Sequence, residues 1–464
     1  MMFSSALLEK FATIVGPSGV LRTDIDAYMK ELRGRVTGKS PCVLLPQNTE
    51  QVAAIVKLCV ENKIPLVPQS GNTGLVGANV PTADGDMVTL SLKRMNTMRA
   101  LDADDFSMVA EAGCILQTTK DIAAGKNRLL AMTLASEGSA MIGGLIAANA
   151  GGSYTLRYGN MREQVLGIEA VMADGSIYSD LRSLRKNNSG YDIKQLLIGS
   201  EGTLGVITAA TLKLYPIPKT EAAMIALPNI EAAIKALGIL REATGDRLAA
   251  FEMMPRLAIE SAIKHIPNQR DPFIQPAPWV AMIETHEASG SSAMESALAQ
   301  LISKNIAGNA VLAQNEAQIK SFWALREAVV EAQKHLGASL KHDLSVPVGR
   351  IAEFITKGTA LVEKAIPGIR VYAFGHVGDG NIHFNLSAPE GMAADAFTAQ
   401  REAIASKLHD LVLSLGGAIS AEHGIGRFKR EEFLRTAPPE QIEAMRKIKR
   451  ALDPHNIFNP GVIV

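Results

Sequence analysis

Short apolar runs alternate with stretches whose apolar residues recur at helical spacing, so strands and helices are expected to interleave along most of the chain. Residues 3–15 have the helical spacing and end at Gly16-Pro17, a stop signal. Residues 41–45 read as a short strand. Asn48 with Gln51 resembles a capping box opening a helix over about 50–62, with Val52, Ile55, Val56 and Cys59 as its apolar stripe. Residues 64–68 are strand-like, and their two prolines favour a sheet edge. Residues 165–172 and 175–178 predict a hairpin turning at Asp174-Gly175. Prolines and charge over 216–219 mark the strongest domain boundary. Beyond it, the pattern predicts helices over 230–244, 291–303, 323–335, 394–415 and 448–453. Strands are expected over 278–284, 338–346 and 371–374. This alternation suits an α+β layer, one sheet covered on one face. No internal repeat or low-complexity tail is present, and 464 residues imply two or three domains.

Three glycine-rich segments interrupt the first half. Pro68-Gln69-Ser70-Gly71-Asn72-Thr73-Gly74-Leu75-Val76-Gly77 follows a predicted strand. Its glycines let backbone N–H groups approach an anion, and Ser70, Asn72 and Thr73 add side-chain donors. It lacks the Gly-Lys-Ser/Thr ending of a Walker loop and is not Gly-x-Gly-x-x-Gly, so an ordinary dinucleotide fingerprint is unsupported. By itself it could equally be a surface turn. The second segment, containing Gly143, Gly144, Gly151 and Gly152, is small and apolar, and Arg157-Tyr158-Gly159 follows it. The third runs from Ile198 to Thr208 and holds Glu201, Gly202, Gly205 and Ile207. Three such patches suggest one elongated cofactor touched at several points.

The second half carries the titrating chemistry. Gly375-His376-Val377-Gly378-Asp379-Gly380-Asn381-Ile382-His383-Phe384-Asn385 follows an apolar run, and Glu422-His423 later precedes the turn Gly424-Ile425-Gly426. His376, His383 and Glu422 make a sensible divalent-metal set, since imidazole and carboxylate suit zinc, iron or manganese. Three ligands leave a coordination position open, and His423 beside them is available as a base. Any one of these histidines alone reads as an ordinary partly buried ring. Four such groups in two glycine-flanked segments favour chemistry.

Composition narrows the field. Apolar residues make up 47% of the chain and charged ones 20%, ordinary for a globular enzyme. The formal net charge of +0, without a long basic run, gives no reason to expect nucleic acid or an anionic membrane as partner. Cys42, Cys59 and Cys114 form no Cys-x-x-Cys pattern and read as core residues in a reducing compartment. No signal-like start and no span-length apolar run is seen, so a cytoplasmic location is expected.

Taken in order, these motifs and the closing Asn459-Pro460-Gly461 resemble one family from about residue 40 onward: the FAD-linked dehydrogenases of D-2-hydroxy acids, within the vanillyl-alcohol-oxidase type of flavoprotein. The resemblance implies an FAD-binding domain of two α/β lobes over 1–218, an α+β cap or substrate domain over 219–415, and a C-terminal segment, 416–464, returning to the flavin. It implies that Pro68, Ser70, Gly71, Asn72, Thr73, Gly74, Leu75 and Gly77 hold the FAD pyrophosphate region. Gly143, Gly144, Gly151, Tyr158, Glu201, Gly202, Gly205, Ile207 and Asn459 would lie along the cofactor. The first loop has no histidine or cysteine, so the FAD is expected to be non-covalent. A divalent metal, zinc by expectation, on His376, His383 and Glu422 would polarise the substrate hydroxyl, with His423 as general base. Arg326 and Lys341 would bind the substrate carboxylate and Asn385 would touch the substrate.

One position departs from the family pattern. Members using dicarboxylates tend to carry threonine one helical turn after this arginine, where this chain has Val330. That leaves room for a monocarboxylate such as lactate. Rival readings are a lactate- or glycolate-oxidase activity with oxygen or quinone as acceptor, an alkyl-dihydroxyacetone-phosphate synthase, a metal-dependent hydrolase without flavin, and an inactive scaffold. The electron acceptor is unidentified, and whether the chain forms a homodimer is open.

Overall fold

The computed structural model describes residues 4–287 and 293–464. Phe3, Ser291 and Ser292, the predicted first residues of two helices, lie outside the described residues. Two compact units emerge. One comprises Met1–Gly152, Gly159–Ile217 and Glu422–Val464, the other Ser153–Tyr158 and Pro218–Ala421.

The first unit holds two larger sheets, and the short strands Arg128–Leu129 and Tyr215–Pro216 pair separately. Strands Val20–Leu21, Val43–Leu44, Val88–Ser91 and Leu66–Gln69 pair in that order, the last three parallel. Leu66–Gln69 is the edge strand the prolines implied, and Leu66 also bridges Phe458 near the chain's end. Helix Thr49–Asn62 buries Val52, Ile55, Val56 and Cys59 in the core of this sheet. Asn48 Oδ1 accepts from the Gln51 N–H at 2.9 Å, while Gln51 Oε1 takes the Gln47 N–H rather than closing the box on Asn48. The second sheet is antiparallel, in the order Met98–Asp102, Ser107–Glu111, Val206–Lys213, Val165–Val171 and Ile177–Asp180. Its last two strands are the expected hairpin, with Asp174 Oδ1 accepting the Ser176 N–H at 2.8 Å. The three cysteines are buried thiols in these cores; burial pushes Cys42 up to about 12 and Cys114 up to about 11.

The second unit is built on one eight-stranded sheet. Asn309–Leu312, Lys219–Leu227, Trp279–Glu287, Leu248–Pro255, Arg370–His376, Asn381–Ser387 and Ser339–Leu340 follow one another, and Asp343–Ser345 also pairs with Asn381–Ser387. The expectation of a sheet covered on one face is corrected here. Along Lys219–Leu227, Ala223, Ile225 and Leu227 pack toward helices Ile230–Thr244 and Ala293–Ser303, whereas Ala222, Met224 and Ala226 pack toward Arg256–His265 and Glu316–Ala332. A strand apolar at every position needs cover on both sides.

Several boundaries also move. The helix expected at 323 starts at Glu316, because Asn315 caps it through the Gln318 N–H at 3.0 Å. The single strand expected over 338–346 is two, Ser339–Leu340 and Asp343–Ser345. The helix expected over 394–415 is split into Ala394–Thr398 and Arg401–Ser414, and the last helix runs the full Pro439–Leu452. Among the described residues, no helix is long and apolar enough to cross a membrane.

The Asn48 cap supplies a direct check on helix Thr49–Asn62. Asn48→Ala should cost about 1 kcal/mol of unfolding free energy, measured by urea denaturation; a change indistinguishable from zero would mean that the cap carries no stability.

Candidate active site

The glycine-bounded segment bearing His376 and His383 is a β-hairpin. Arg370–His376 and Asn381–Ser387 pair antiparallel, with Phe374 opposite His383. His376 stands two residues beyond Phe374 on the same face, so the two imidazoles meet diagonally, their ring centroids 5.5 Å apart. Glycine is required at the turn. A Cβ on Gly380, whose φ is +89°, would stand 2.2 Å from the Val346 carbonyl oxygen. Asp379 Oδ1 accepts the Asn381 N–H at 3.1 Å, and burial pushes its carboxyl up to about 6 despite the pull of His376.

The neighbouring strand contributes a residue that sequence reading missed. Glu252 pairs in register with His376 and is fully buried. Its Oε1 lies 2.5 Å from His376 Nδ1, and its Oε2 accepts from Arg326 Nε at 2.7 Å. Burial alone would raise this carboxyl, yet His376 and Arg326 hold it at about 2. Arg326 comes from helix Glu316–Ala332 and lies 5.0 Å from the Phe374 ring centroid. A signal for Glu252 was available: it is the one charged residue in the apolar strand Leu248–Pro255.

On the far side of His383, Asp343 pairs in register with it and lies 3.8 Å from its Nδ1. Asn381 Nδ2 donates to Asp343 at 2.9 Å, fixing the carboxylate. Ser345, two residues on, bridges Ala418, which anchors the chain four residues before Glu422. His376, His383 and Asp343 belong to the second unit, whereas Glu422 and His423 belong to the first. Asp343, beside His383, is a carboxylate that sequence reading did not single out. The donor types fit a divalent metal, and His376 already has a carboxylate on its other ring nitrogen, as metal-bound histidines commonly do.

The two other expected substrate residues, Asn385 and Lys341, and the departing position Val330 differ in setting. Asn385 is buried, its Oδ1 accepting the His342 N–H at 3.2 Å and its Nδ2 donating to Gln333 at 2.9 Å. Lys341 is half-buried between the strands Ser339–Leu340 and Asp343–Ser345. Val330 is exposed at 38%, against 6% for Arg326 one turn earlier.

In the first unit the three glycine segments converge. A Cβ on Gly143 would fall 3.1 Å from Ser70 Oγ, and one on Gly71 would fall 2.2 Å from the Ser139 carbonyl oxygen. The Glu201 N–H donates to the Ala147 carbonyl at 2.8 Å, and Gly202 lies against the Pro68 ring. Ser70, Gly71, Asn72, Thr73, Gly74 and Leu75 stay at least partly exposed, as a loop meeting a ligand must. The Asn72 amide donates to the Ala27 and Lys30 carbonyls, so this side chain shapes the loop. Gly151 is half-buried, Gly205 packs near the Val171 carbonyl, and Ile207 is buried in its strand. Tyr158 departs from this group: it belongs to the other unit, and its hydroxyl lies 2.9 Å from His286 Nδ1. His286 Nε2 in turn meets Glu284 at 2.7 Å.

The turn after His423 is tied to the glycine segments. Glu201 accepts the Ile425 and Gly426 N–H groups at 2.8 Å each. Arg427, also unforeseen, donates to the Gly77 and Val80 carbonyls at 2.6 and 2.8 Å and to Asn459 Oδ1 at 2.9 Å. Asn459 spends its amide hydrogens on the Ala78 and Glu201 carbonyls, so it locks three segments together. Within this unit, His423 Nε2 lies 3.6 Å from Glu422 Oε1.

Comparison with known proteins accounts for both units. Residues 40–180 match the family described as "FAD binding domain" and residues 218–463 the one described as "FAD linked oxidases, C-terminal domain". The solved alkyldihydroxyacetonephosphate synthase superposes with a TM-score of 0.74 at 17% identity, covering 99% of this chain and 85% of that one; at this identity the likeness concerns fold alone. The fold is therefore the FAD-binding fold of the vanillyl-alcohol-oxidase type. Two relatives are closer in sequence. A probable mitochondrial D-2-hydroxyglutarate dehydrogenase of Oryza sativa subsp. japonica is 35% identical over 97% of this chain and 80% of its own length. A D-2-hydroxyglutarate dehydrogenase of Xanthomonas citri pv. viticola is 35% identical over 94% of this chain and 92% of its own. The chain belongs to the FAD-linked dehydrogenases of D-2-hydroxy acids, FAD-dependent enzymes acting on CH–OH groups.

Glu201 makes a pH-dependent prediction. Loss of water pushes its carboxyl up to about 7, against the opposing pull of its two N–H donors. A carboxyl raised above its ordinary 4.5 favours folding fully below that value and loses the contribution as pH rises through about 7. Relative to Glu201→Gln, the wild-type Tm should therefore decline between about pH 4.5 and 7. Parallel melting profiles for the two proteins across that range would contradict it.

Proposed function

We propose that the chain oxidises a D-2-hydroxy acid to the 2-oxo acid with a divalent metal, zinc by donor type, held by His376, His383 and Glu422. The observation that carries this reading is the meeting of His376 and His383 on one hairpin, their ring centroids 5.5 Å apart, in a chain of this family. Bound metal supplies a Lewis acid for the α-hydroxyl, and bound FAD, held non-covalently, supplies the two-electron acceptor. His423 takes the hydroxyl proton on a ring nitrogen, a task imidazole serves in general acid–base chemistry. Arg326 presents its guanidinium and Lys341 its ammonium to the substrate carboxylate, and Asn385 borders the same strand face as His383. Ser70 to Gly77, Gly143, Gly144, Glu201 and Gly205 border the flavin.

The relatives' names attach to 2-hydroxyglutarate, but Val330 offers no polar group at the position where, by the family resemblance, dicarboxylate-using members tend to carry threonine. We infer a substrate whose binding draws little on a second carboxylate, with D-lactate as the test case.

Two experiments test these assignments. Under anaerobic conditions a D-2-hydroxy acid should bleach the flavin, chelation should abolish bleaching, and added zinc should restore it. His423→Asn should retain FAD and zinc but slow bleaching by about 10²-fold or more. Loss of zinc from this variant would instead make His423 a ligand, and near-normal bleaching would remove it as base. Val330→Thr should raise kcat/KM for D-2-hydroxyglutarate relative to D-lactate, and an unchanged ranking would refute the pocket reading.

A further inference from the structure

Glu252 bears on two functions at once. It belongs to the strand beside the hairpin, fully buried, with each carboxylate oxygen committed to a different partner. Oε1 meets Nδ1 of His376, and Oε2 meets Nε of Arg326, at 2.5 and 2.7 Å. A carboxylate in such a place needs both partners, because an unpaired buried charge is strongly unfavourable. The planar carboxylate therefore fixes the orientation of one relative to the other. Phe374 closes the arrangement, packing under the guanidinium and beside the His383 ring.

We propose that Glu252 is a positioning residue that couples the metal to the substrate-carboxylate anchor. This rests on the assignment of His376 as metal ligand and Arg326 as substrate anchor. Accepting the Nδ1–H of His376 selects the tautomer whose Nε2 faces outward as a ligand and raises its basicity. Accepting Arg326 Nε–H turns the guanidinium so that its two terminal nitrogens lead. Metal and anchor are thereby held at one separation, the one set by the hydroxyl and carboxylate of a 2-hydroxy acid. Glu252 itself touches neither metal nor substrate.

Gln is nearly the same shape but cannot accept on both arms. In the FAD-loaded full-length protein, Glu252→Gln should weaken zinc binding by about 10- to 100-fold, read by competition with a chromogenic zinc chelator. KM for the D-2-hydroxy acid should rise severalfold, with a smaller change in kcat at saturating zinc and substrate. Arg326→Met supplies a second, independent reading. It removes no proposed ligand, yet it alters the carboxylate's other arm, so zinc affinity should shift severalfold. Should Glu252→Gln fail to fold, judged by circular dichroism and FAD content, Arg326→Met alone decides. Wild-type zinc affinity in Arg326→Met, or a folded Glu252→Gln with unaltered zinc affinity or unaltered KM, overturns the coupling. A wild-type protein that binds no zinc overturns the metal assignment as well, which distinguishes the two failures.

Discussion

Close approach of backbone to backbone is the constraint on which the flavin-binding unit depends. Gly71 runs against the Ser139 carbonyl, and Gly143 against the Ala112 Cβ, at separations a side chain would not permit. What results is a surface of main-chain amides with little bulk above it, suited to a long cofactor with an anionic centre. Such contacts leave polar groups in need of partners, and Glu201, Arg427 and Asn459 supply them. The carboxylate takes two N–H groups, and the guanidinium and the amide take carbonyls from distant segments. The turn after His423 is thereby built onto the glycine segments, so His423 and those segments share one support.

In the other unit, electrostatics within a dry sheet plays the corresponding part. Glu252 and Asp343 flank the two histidines on neighbouring strands, and the pleat turns all four side chains to one face. Burial makes each isolated charge unfavourable, so the residues are stable only as a set. A second buried chain, Tyr158 to His286 to Glu284, with Trp323 Nε1 donating to Glu284 at 2.6 Å, pins the short segment Ser153–Tyr158 to the same sheet. Arg326 and Trp323 arrive from one helix, three residues apart, and so reach these two networks from one face.

Much of this was legible in the linear pattern. The helix over Thr49–Asn62, the hairpin at Asp174-Gly175 and the helix Ile230–Thr244 follow from local periodicity and turn chemistry, because the physics that forms them lies within a few residues. The hairpin carrying His376 and His383 was harder to read, since glycines that signal a loop also permit a tight turn between strands. The cover on both faces of the large sheet was missed although the unbroken apolar run Ala222–Leu227 implied it. Glu252 was visible as a charge in an apolar run, but nothing nearby in sequence named its partners, 74 and 124 positions away.

The sequence by itself determined the chemistry available: imidazoles and carboxylates in glycine-bounded segments, and small residues where backbone must lie close to a cofactor. It also carried enough order among its motifs to identify the family. Which groups share a face, which carboxylate backs which histidine, and that Asn459 and Arg427 brace the cofactor loops were decided only by the tertiary structure. The physical reason is that strand register and long-range burial join residues far apart in the chain, and no local pattern encodes that pairing.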